Sequence, residues 1–467
     1  MNTQQALYIY NSQMLDREPL RVVDFRQLGG TAGPAFPTCI AHTAAAADEF
    51  DLAVGLLTGE VVLLSLRAQL RAAASNTRPV HSMCLNVDGS SNASRCVSLA
   101  WLPGSAGTAF VAAHRDGAVL LYHKVVGSSS DTKLLARSSS QNALRPPITQ
   151  LQAPGCGGGV NAAAVSPDGQ LVAAACRDGV LRVYACPGGG LVAGFKSYYG
   201  GLQCCAWSPD GRYVAAGGED DLVAVYGLAE HCVVAYCQGH TAWLSGLAFD
   251  PWMCHTDGEQ QLKAAADGGG GAAAEAAGPA ASGLSAFSCS SGSEDRVYRL
   301  ASVGQDCQLA LWDVVVTEEA VAAAQQASSA NASPERDHRP GLPPSPSKLR
   351  GGGGGGRSSS RSSSPAKRGG GGALSMFRTR SGSAPDPGAL PAALATGIIA
   401  PPLPRADWPL VTPAVQLRCH PEPLSGVAFT AAGLYTACHG SAVRHWQRPP
   451  LTPTAQVRRI DSLQGMA

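Results

Sequence analysis

The sequence predicts an all-β fold made of several small antiparallel sheets that repeat along the chain. Two observations support this prediction: one strand–turn–strand pattern occurs six times, and within each copy apolar residues alternate with a period of two. Such alternation is typical of strands with one buried face. A unit of this size cannot bury its own apolar surface, so neighbouring units must stack to form the core.

The six copies share an apolar run, a tight turn and a second strand that ends in an aromatic residue or a leucine. They span residues 52–66, 110–123, 171–185, 213–227, 299–313 and 434–447. Four copies carry an aspartate in the turn, six residues before the terminal aromatic: Asp116, Asp178, Asp220 and Asp306. A segment such as LQCCAWSPDG (202–211) precedes several copies, and its Pro and Gly favour a further turn. Each unit is therefore expected to hold several short strands.

One of these turns holds three adjacent acids, Glu219, Asp220 and Asp221. Adjacent carboxylates can form a catalytic pair, or they can shape a turn. The structural interpretation is favoured because the motif recurs and no activating partner accompanies it. Asp220 is expected to accept N–H groups of its own turn. Asp221 stands where other copies have glycine, at a position that favours positive φ. The additional negative charge on this turn is a candidate contact for a basic partner.

The composition excludes several function classes. Of the 467 residues 45% are apolar, which is enough for a sizeable core, and the net charge of +1 gives no argument for nucleic acid or membrane as a main partner. The 15 scattered cysteines, without a signal peptide or a long apolar run, favour a reducing setting in the cytoplasm or nucleus. No enzyme motif and no zinc-ligand spacing occur, so we expect neither catalytic residues, nor a cofactor, nor a metal.

The repeats resemble the WD-repeat family, in which each repeat is a four-stranded blade of a β-propeller. Gly239-His240 and Trp312-Asp313 carry the signature of that family. The resemblance implies a hydrogen-bonded structural tetrad of His240, Ser302, Asp306 and Trp312. It also implies a closed ring. We expect seven blades, the seventh formed by the N-terminal strands paired with strands from the C-terminal end. The alternative is six blades, with the first 30 residues outside the ring.

A narrower resemblance covers most of the chain outside its low-complexity segments. The segments KSYYGG, GGEDDL and SVGQD are similar to those of the family that contains the animal WD-repeat protein twenty, the dystrophia-myotonica WD-repeat protein and fungal CreC. This resemblance implies a non-catalytic scaffold that binds and stimulates a ubiquitin-specific protease, often beside a second WD-repeat protein. The alternative is a general WD-repeat adaptor, such as a substrate receptor of a ubiquitin ligase.

Composition divides the chain into a propeller and low-complexity segments. Residues 1–316 are expected to hold the N-terminal strands and five repeats, interrupted by a disordered insertion at 254–294. Residues 317–405 are expected to form a disordered linker rich in Gly, Ser, Pro and basic residues. Residues 406–449 supply the last repeat, which closes the propeller, and 450–467 form a tail.

The long linker has its own candidate sites. Between Ser345 and Gly382 it has eight Lys and Arg residues and no acid. Four serines are phosphorylation candidates: Ser333, Ser345, Ser364 and Ser383. Ser383 lies in an R-S-x-S-x-P pattern, which 14-3-3 proteins recognise when this serine is phosphorylated, because a basic cluster captures the phosphate. The alternative is a basic linker without regulation.

Partner binding is expected at the rim where loops enter the repeats. Alignment of neighbouring repeats places Trp243 opposite Gly201, at a position where the core needs no large aromatic. The partner-binding candidates are Lys196, Tyr198, Tyr199, Asp221 and Trp243. Aromatic side chains ringed by charge are typical interface anchors. The alternative is that Trp243 packs against an adjacent repeat.

Overall fold

The fold is all-β, as predicted, and its sheets are ordered as the blades of a propeller. The computed structural model describes residues 2–3, 6–11, 15, 18–27, 35–124 apart from 74, 88 and 90, 148–151, 159–256, 296–331 and 399–448. The strands in these ranges form seven antiparallel sheets: six blades that correspond to the six sequence repeats, and a smaller N-terminal sheet. Two blades gain a short parallel strand at one edge.

The N-terminal sheet and the first three blades account for the first half of the chain. The N-terminal sheet contains β1 (Asn2–Thr3), β2 (Ala6–Ile9) and β3 (Arg21–Asp24), followed by a 3₁₀ turn at Phe25–Gln27. Blade 1 contains β4 (Pro37–His42), β5 (Leu52–Leu56), β6 (Val61–Leu64), helix α1 (Leu66–Arg71) and β7 (Ser82–Leu85). Blade 2 contains β8 (Cys96–Trp101), β9 (Ala109–His114), β10 (Val119–His123) and β11 (Ile148–Leu151). Blade 3 begins with β12 (Val160–Val165), β13 (Leu171–Cys176), β14 (Val180–Ala185) and β15 (Leu191–Lys196).

The remaining blades take strands from both sides of the long linker. Blade 4 begins with β16 (Leu202–Trp207), β17 (Tyr213–Gly218), β18 (Leu222–Gly227) and β19 (Cys232–Gln238). Blade 5 contains β20 (Leu244–Thr256), β21 (Arg296–Gly304) and β22 (Gln308–Val316), and helix α2 (Glu318–Asn331) follows it. Beyond the linker lie β23 (Ile399–Ala400), a 3₁₀ turn at Arg405–Asp407, β24 (Leu410–Val411) and β25 (Val415–Arg418). Blade 6 contains β26 (Leu424–Thr430), β27 (Gly433–Cys438) and β28 (Val443–Gln447).

The hydrophobic core lies between the faces of adjacent blades. The first strands of successive blades, β4, β8, β12, β16, β20 and β26, contact one another in this order. Between blades 1 and 2, for example, Phe110 and Tyr122 stack with ring centroids 5.1 Å apart and pack with Ala53 and Val61 of the neighbouring sheet. Because each blade covers the apolar face of the next, all four side chains are buried.

The N-terminal strands do not pair with strands from the C-terminal end, and that part of the closure prediction is wrong for the described residues. β1–β3 pair only with one another. Contacts with blade 1 hold this sheet instead: the guanidinium of Arg21 donates to the carbonyls of Ala73 and Arg78 at 3.0 and 3.1 Å. The backbone N–H of Asp24 donates to the carbonyl of Thr77 at 2.7 Å. Hydrogen bonds to the loop that follows helix α1 in sequence, two from a side chain and one from the main chain, therefore take the place of the expected strand pairing.

The boundaries predicted for the long linker, 317–405, are also wrong at both ends. Helix α2 begins directly after β22, where Thr317 Oγ1 accepts the N–H of Ala320 at 3.1 Å and two glutamates occupy the first turn. This capping and the alanine-rich sequence favour a helix. Ala324 is buried in the core that blades 4 and 5 share. The sequence interpretation treated the alanine run as low complexity and missed its apolar face.

At its other end the predicted linker returns to the propeller. β23 pairs in parallel with β15 of blade 3, and β24 pairs in parallel with β19 of blade 4. β25 supplies the outer strand of blade 5, so residues 406–449 contribute to three blades instead of one repeat. The first insertion likewise begins later than predicted, because β20 continues to Thr256. Most of 254–294, residues 332–398 and the tail 450–467 lie outside the described residues.

Candidate partner-binding rim

One rim of the propeller collects two kinds of loop: the turn between the second and third strand of each blade, and the loop that enters its first strand. One backbone hydrogen bond of 2.8–3.0 Å joins them in all six blades. The N–H and carbonyl partners are Leu57 and Phe36, Arg115 and Arg95, Arg177 and Gly159, Glu219 and Gly201, Gln305 and Trp243, His439 and Pro423. We call this side the loop rim. Trp243 and Gly201 thus occupy the same position in neighbouring blades, as the sequence alignment placed them.

The four turn aspartates hold the turns of the loop rim. Each accepts a hydrogen bond from the backbone N–H two residues later, at 3.1 Å for Asp116, Asp178 and Asp306 and at 3.4 Å for Asp220. Asp178 also forms a salt bridge of 2.7 Å with Arg182. These contacts give the recurring acids a structural role in their own turns.

The three adjacent acids of blade 4 have three different environments. Glu219 accepts the N–H of Gly201 at 3.0 Å and the side-chain amide of Gln203 at 3.1 Å. Burial raises the pKa of Asp220 to about 6. The nearby N–H groups of its own turn and of the Tyr198–Tyr199 loop lower this pKa, but their effect is smaller than that of burial. Asp221 has φ of +60°, as expected for a position that takes glycine elsewhere. Glu219 therefore holds the end of the loop that carries Tyr198 and Tyr199 through its bond with Gly201.

The structure brings His240, Ser302, Asp306 and Trp312 together in one buried network of blade 5. Nδ1 of His240 lies 2.9 Å from Oδ2 of Asp306, and its Nε2 lies 2.8 Å from Oγ of Ser302. The indole N–H of Trp312 donates to the same Oγ at 2.7 Å. Because that Oγ already accepts from the indole, its hydroxyl hydrogen is available to His240 Nε2, which leaves Nδ1–H to donate to Asp306. Burial alone would raise the pKa of Asp306, but His240 lowers it below its usual value.

Blade 6 holds a second network of this kind, which sequence reasoning missed. His420 Nε2 lies 2.9 Å from Oγ1 of Thr436, and Trp446 Nε1 donates to that Oγ1 at 3.0 Å. The signal was present in the spacing, because Thr436 and Trp446 are ten residues apart, as are Ser302 and Trp312. Gly440 stands in place of the acid, and His420 Nδ1 has no hydrogen-bond partner among the described residues.

Three aromatic side chains are exposed on the loop rim. Tyr199 is 72% exposed, Tyr198 46% and Trp243 45%. Lys196, also exposed, ends β15 directly before the tyrosine loop. Asp221 lies in the turn between β17 and β18, where burial and the charge of Asp306 raise its pKa above the usual value, and its Oδ1 has no hydrogen-bond partner among the described residues. The candidates Lys196, Tyr198, Tyr199, Asp221 and Trp243 thus lie along one side of blades 3 to 5.

Trp408, on the segment that returns from the linker, supports this aromatic surface from below. It is 9% exposed, stacks on Tyr236 with centroids 4.4 Å apart, and meets Tyr198 edge-on at 4.9 Å. Its indole N–H donates to the carbonyl of Leu403 at 2.9 Å. Tyr198 is therefore held on one side and open on the other. Sequence reasoning had placed Trp408 at the start of the last repeat and gave it no role.

Comparisons with known proteins agree with this architecture. The family model described as "WD domain, G-beta repeat" matches residues 146–185 and 189–226. The chain is 30% identical to WD repeat-containing protein 20 of Mus musculus over 351 residues, which is 72% of this chain and 59% of that protein. The chain is a WD-repeat protein. The matched part of the chain spans about three fifths of the length of the mouse relative. A chain of the solved structure "Crystal Structure of Mitotic Checkpoint Complex" has the same fold, with a TM-score of 0.50, 12% identity, and coverage of 96% of this chain and 85% of that one.

Several predictions for this WD-repeat protein concern residues outside the described ranges. They are the phosphorylation candidates Ser333, Ser345, Ser364 and Ser383, with the 14-3-3 motif around Ser383. Across the part of the chain that the structure describes, no helix has the length and apolar character of a membrane span. In the same part no three His, Cys, Asp or Glu side chains are grouped so that they could hold a metal ion.

Proposed function

We propose that this WD-repeat protein is a non-catalytic scaffold that binds a ubiquitin-specific protease through its loop rim and stimulates it. The observation that supports the binding surface is the set of exposed rim aromatics beside charged residues. Large apolar rings that remain open to solvent on a monomer are typical of interface centres. The similarity to WD repeat-containing protein 20 and the KSYYGG, GGEDDL and SVGQD segments support the choice of partner class.

The arrangement of these aromatics favours tight binding. Tyr198 rests against Trp408, and Glu219 holds the end of the loop that carries Tyr198 and Tyr199, since it accepts the N–H of Gly201 at 3.0 Å. Trp243 is fixed through its carbonyl, which accepts the N–H of Gln305 at 2.8 Å. A surface held in place before binding loses less conformational entropy when a partner docks. Burial of three aromatic rings would thus supply much of the binding free energy.

The test is affinity purification of the tagged protein from cells, followed by an activity assay with the recovered protease. We expect a ubiquitin-specific protease, with or without a second WD-repeat protein, and faster hydrolysis of a fluorogenic ubiquitin substrate when the scaffold is added. The double variant Trp243→Ala/Tyr199→Ala should lose this stimulation while its melting temperature stays near that of the wild type.

Trp252 offers a matched control for this experiment. It is 36% exposed and lies beyond Phe249 on β20, toward the opposite rim. Trp252→Ala should leave stimulation unchanged. Recovery of ubiquitin-ligase subunits without any protease would instead favour a substrate receptor. Wild-type stimulation by the double variant would place the interface away from the loop rim.

A further inference from the structure

Four exposed cationic side chains lie on the loop rim of blades 2 and 3. Arg95 belongs to the loop that enters blade 2, and Arg115 and Arg177 directly precede the turn aspartates of blades 2 and 3. Lys196 ends the outermost antiparallel strand of blade 3. The repeat thus places an exposed arginine at the same turn position in two neighbouring blades, and two further cations beside them.

Backbone contacts make these four positions one continuous surface. The N–H of Arg115 donates to the carbonyl of Arg95 at 2.9 Å. Gly159 packs between the two turns: a methyl group there would lie 2.0 Å from the carbonyl oxygen of Arg115 and 3.7 Å from Cδ of Arg177. The residue after Lys196 donates its N–H to Gly179, in the Arg177 turn, at 2.7 Å. We call Arg95, Arg115, Arg177 and Lys196 the cationic rim patch.

The charges of this patch are available to a partner. None of the four side chains forms an ion pair with a carboxylate of the described residues. The nearest acids of the same turns have other partners: both oxygens of Asp178 pair with Arg182 at 2.9 and 2.7 Å. Asp116 accepts the side-chain amide of Asn92 at 2.8 Å. Uncompensated arginines whose planar guanidinium groups face solvent favour bidentate binding of carboxylates.

The acids of blade 4 limit the length of the ligand. Gly200 and Gly201 pack directly against Glu219, so the acidic turn 219–221 follows the cationic rim patch along the rim. A long polyanion such as RNA would meet this turn and be repelled, whereas a short acidic segment fits within blades 2 and 3. We propose that the cationic rim patch binds a short run of Asp and Glu residues in a partner protein. This proposal holds whether or not the partner is a protease.

The test measures binding of a fluorescein-labelled peptide of ten glutamates to the full chain by fluorescence anisotropy. We expect binding that weakens as NaCl rises from about 50 to 150 mM, because salt screens exposed charges. Arg177→Glu should weaken binding about tenfold or more and Arg177→Gln should weaken it less. Arg177→Lys should weaken it least, because it keeps the positive charge and loses only the bidentate geometry. Arg212→Glu is the matched control. Arg212 is exposed in the turn between β16 and β17 of blade 4, at the opposite rim, so this substitution should change the affinity less than twofold.

Circular dichroism and melting curves establish whether each variant is folded. If Arg177→Glu does not fold, Arg177→Gln takes its place in the comparison. Equal weakening by Arg177→Glu and Arg212→Glu would overturn the proposal, because binding would then follow net charge alone. The absence of peptide binding to the wild type would overturn it as well. Tighter binding of a single-stranded ten-nucleotide RNA, lost in the Arg177 variants, would assign the patch to nucleic acid instead.

Discussion

Removal of the Asp306 carboxylate tests whether the buried network of blade 5 stabilises the propeller beyond its own turn. The carboxylate is 4% exposed and accepts three hydrogen bonds of 3.1 Å or shorter, from His240 Nδ1 and from the N–H groups of Thr241 and Gln308. Asp306→Ala leaves the imidazole N–H buried without a partner, and the side chain of His240 is fully buried. An unpaired buried polar group costs about 1–3 kcal/mol, and the lost turn contacts add about 1 kcal/mol. We expect a loss of about 2–4 kcal/mol in the free energy of unfolding.

Asp116→Ala is the matched control for this substitution. Asp116 occupies the same turn position and makes the same bond to the N–H two residues later, but it is exposed and has no histidine partner. Its loss should cost about 0.5–1 kcal/mol, as usual for a surface contact. Differential scanning calorimetry of both variants at pH 7 measures the difference. The loss at Asp306 should shrink as the pH falls below the usual aspartate pKa of 3.8, because a lowered folded-state pKa stabilises only the ionised form. Equal melting temperatures for the two variants would refute the reasoning.

Three further predictions concern the turn acids and the linker. Asp220→Asn should raise the melting temperature at pH 7 and reduce its pH dependence between pH 4 and 6. The folded-state pKa of Asp220, about 6, exceeds the usual aspartate value of 3.8. The wild type therefore loses stability as the pH rises through this window, by up to about 3 kcal/mol. Gly440→Asp should raise the melting temperature by supplying an acceptor to His420 Nδ1, worth about 1 kcal/mol, whereas Gly440→Ala should not. Replacement of residues 332–398 by a short Gly/Ser linker should leave the melting temperature unchanged, whereas removal of 318–331 as well should lower it, because Ala324 is buried.

Each of these predictions has an outcome that would contradict it. For Asp220→Asn, an unchanged difference from the wild type at pH 4 and pH 7 would mean that the carboxylate does not titrate in this window. For Gly440→Asp, a lower melting temperature would mean that Glu422, whose Cγ would lie 3.1 Å from the added Cβ, cannot move aside. For the linker, loss of a cooperative transition after replacement of 332–398 alone would assign that segment a part in the core.

Local patterns in the sequence predicted the repeating part of the fold. A strand, its turn and the next strand lie within about 15 residues, so a period of two and an aspartate at a fixed spacing carry enough information. The turn contacts of Asp116, Asp178 and Asp306 and the positive φ of Asp221 follow from that spacing. The resemblance to WD repeats supplied the rest of the blade 5 network. It was applied to one blade only, and so His420 was missed.

The tertiary structure alone decided what covers the outer edges of the blades. β23, β24 and β25 come from one segment after the linker, yet they pair with blades 3, 4 and 5 in turn. An edge strand offers backbone N–H and carbonyl groups, which bind any extended segment with little regard to its side chains. Such pairing therefore leaves no periodic pattern to detect in IIAPPLPRADWPLV (398–411). The path of the chain back to the ring sets these partners, and with them the position of Trp408 beneath the rim aromatics.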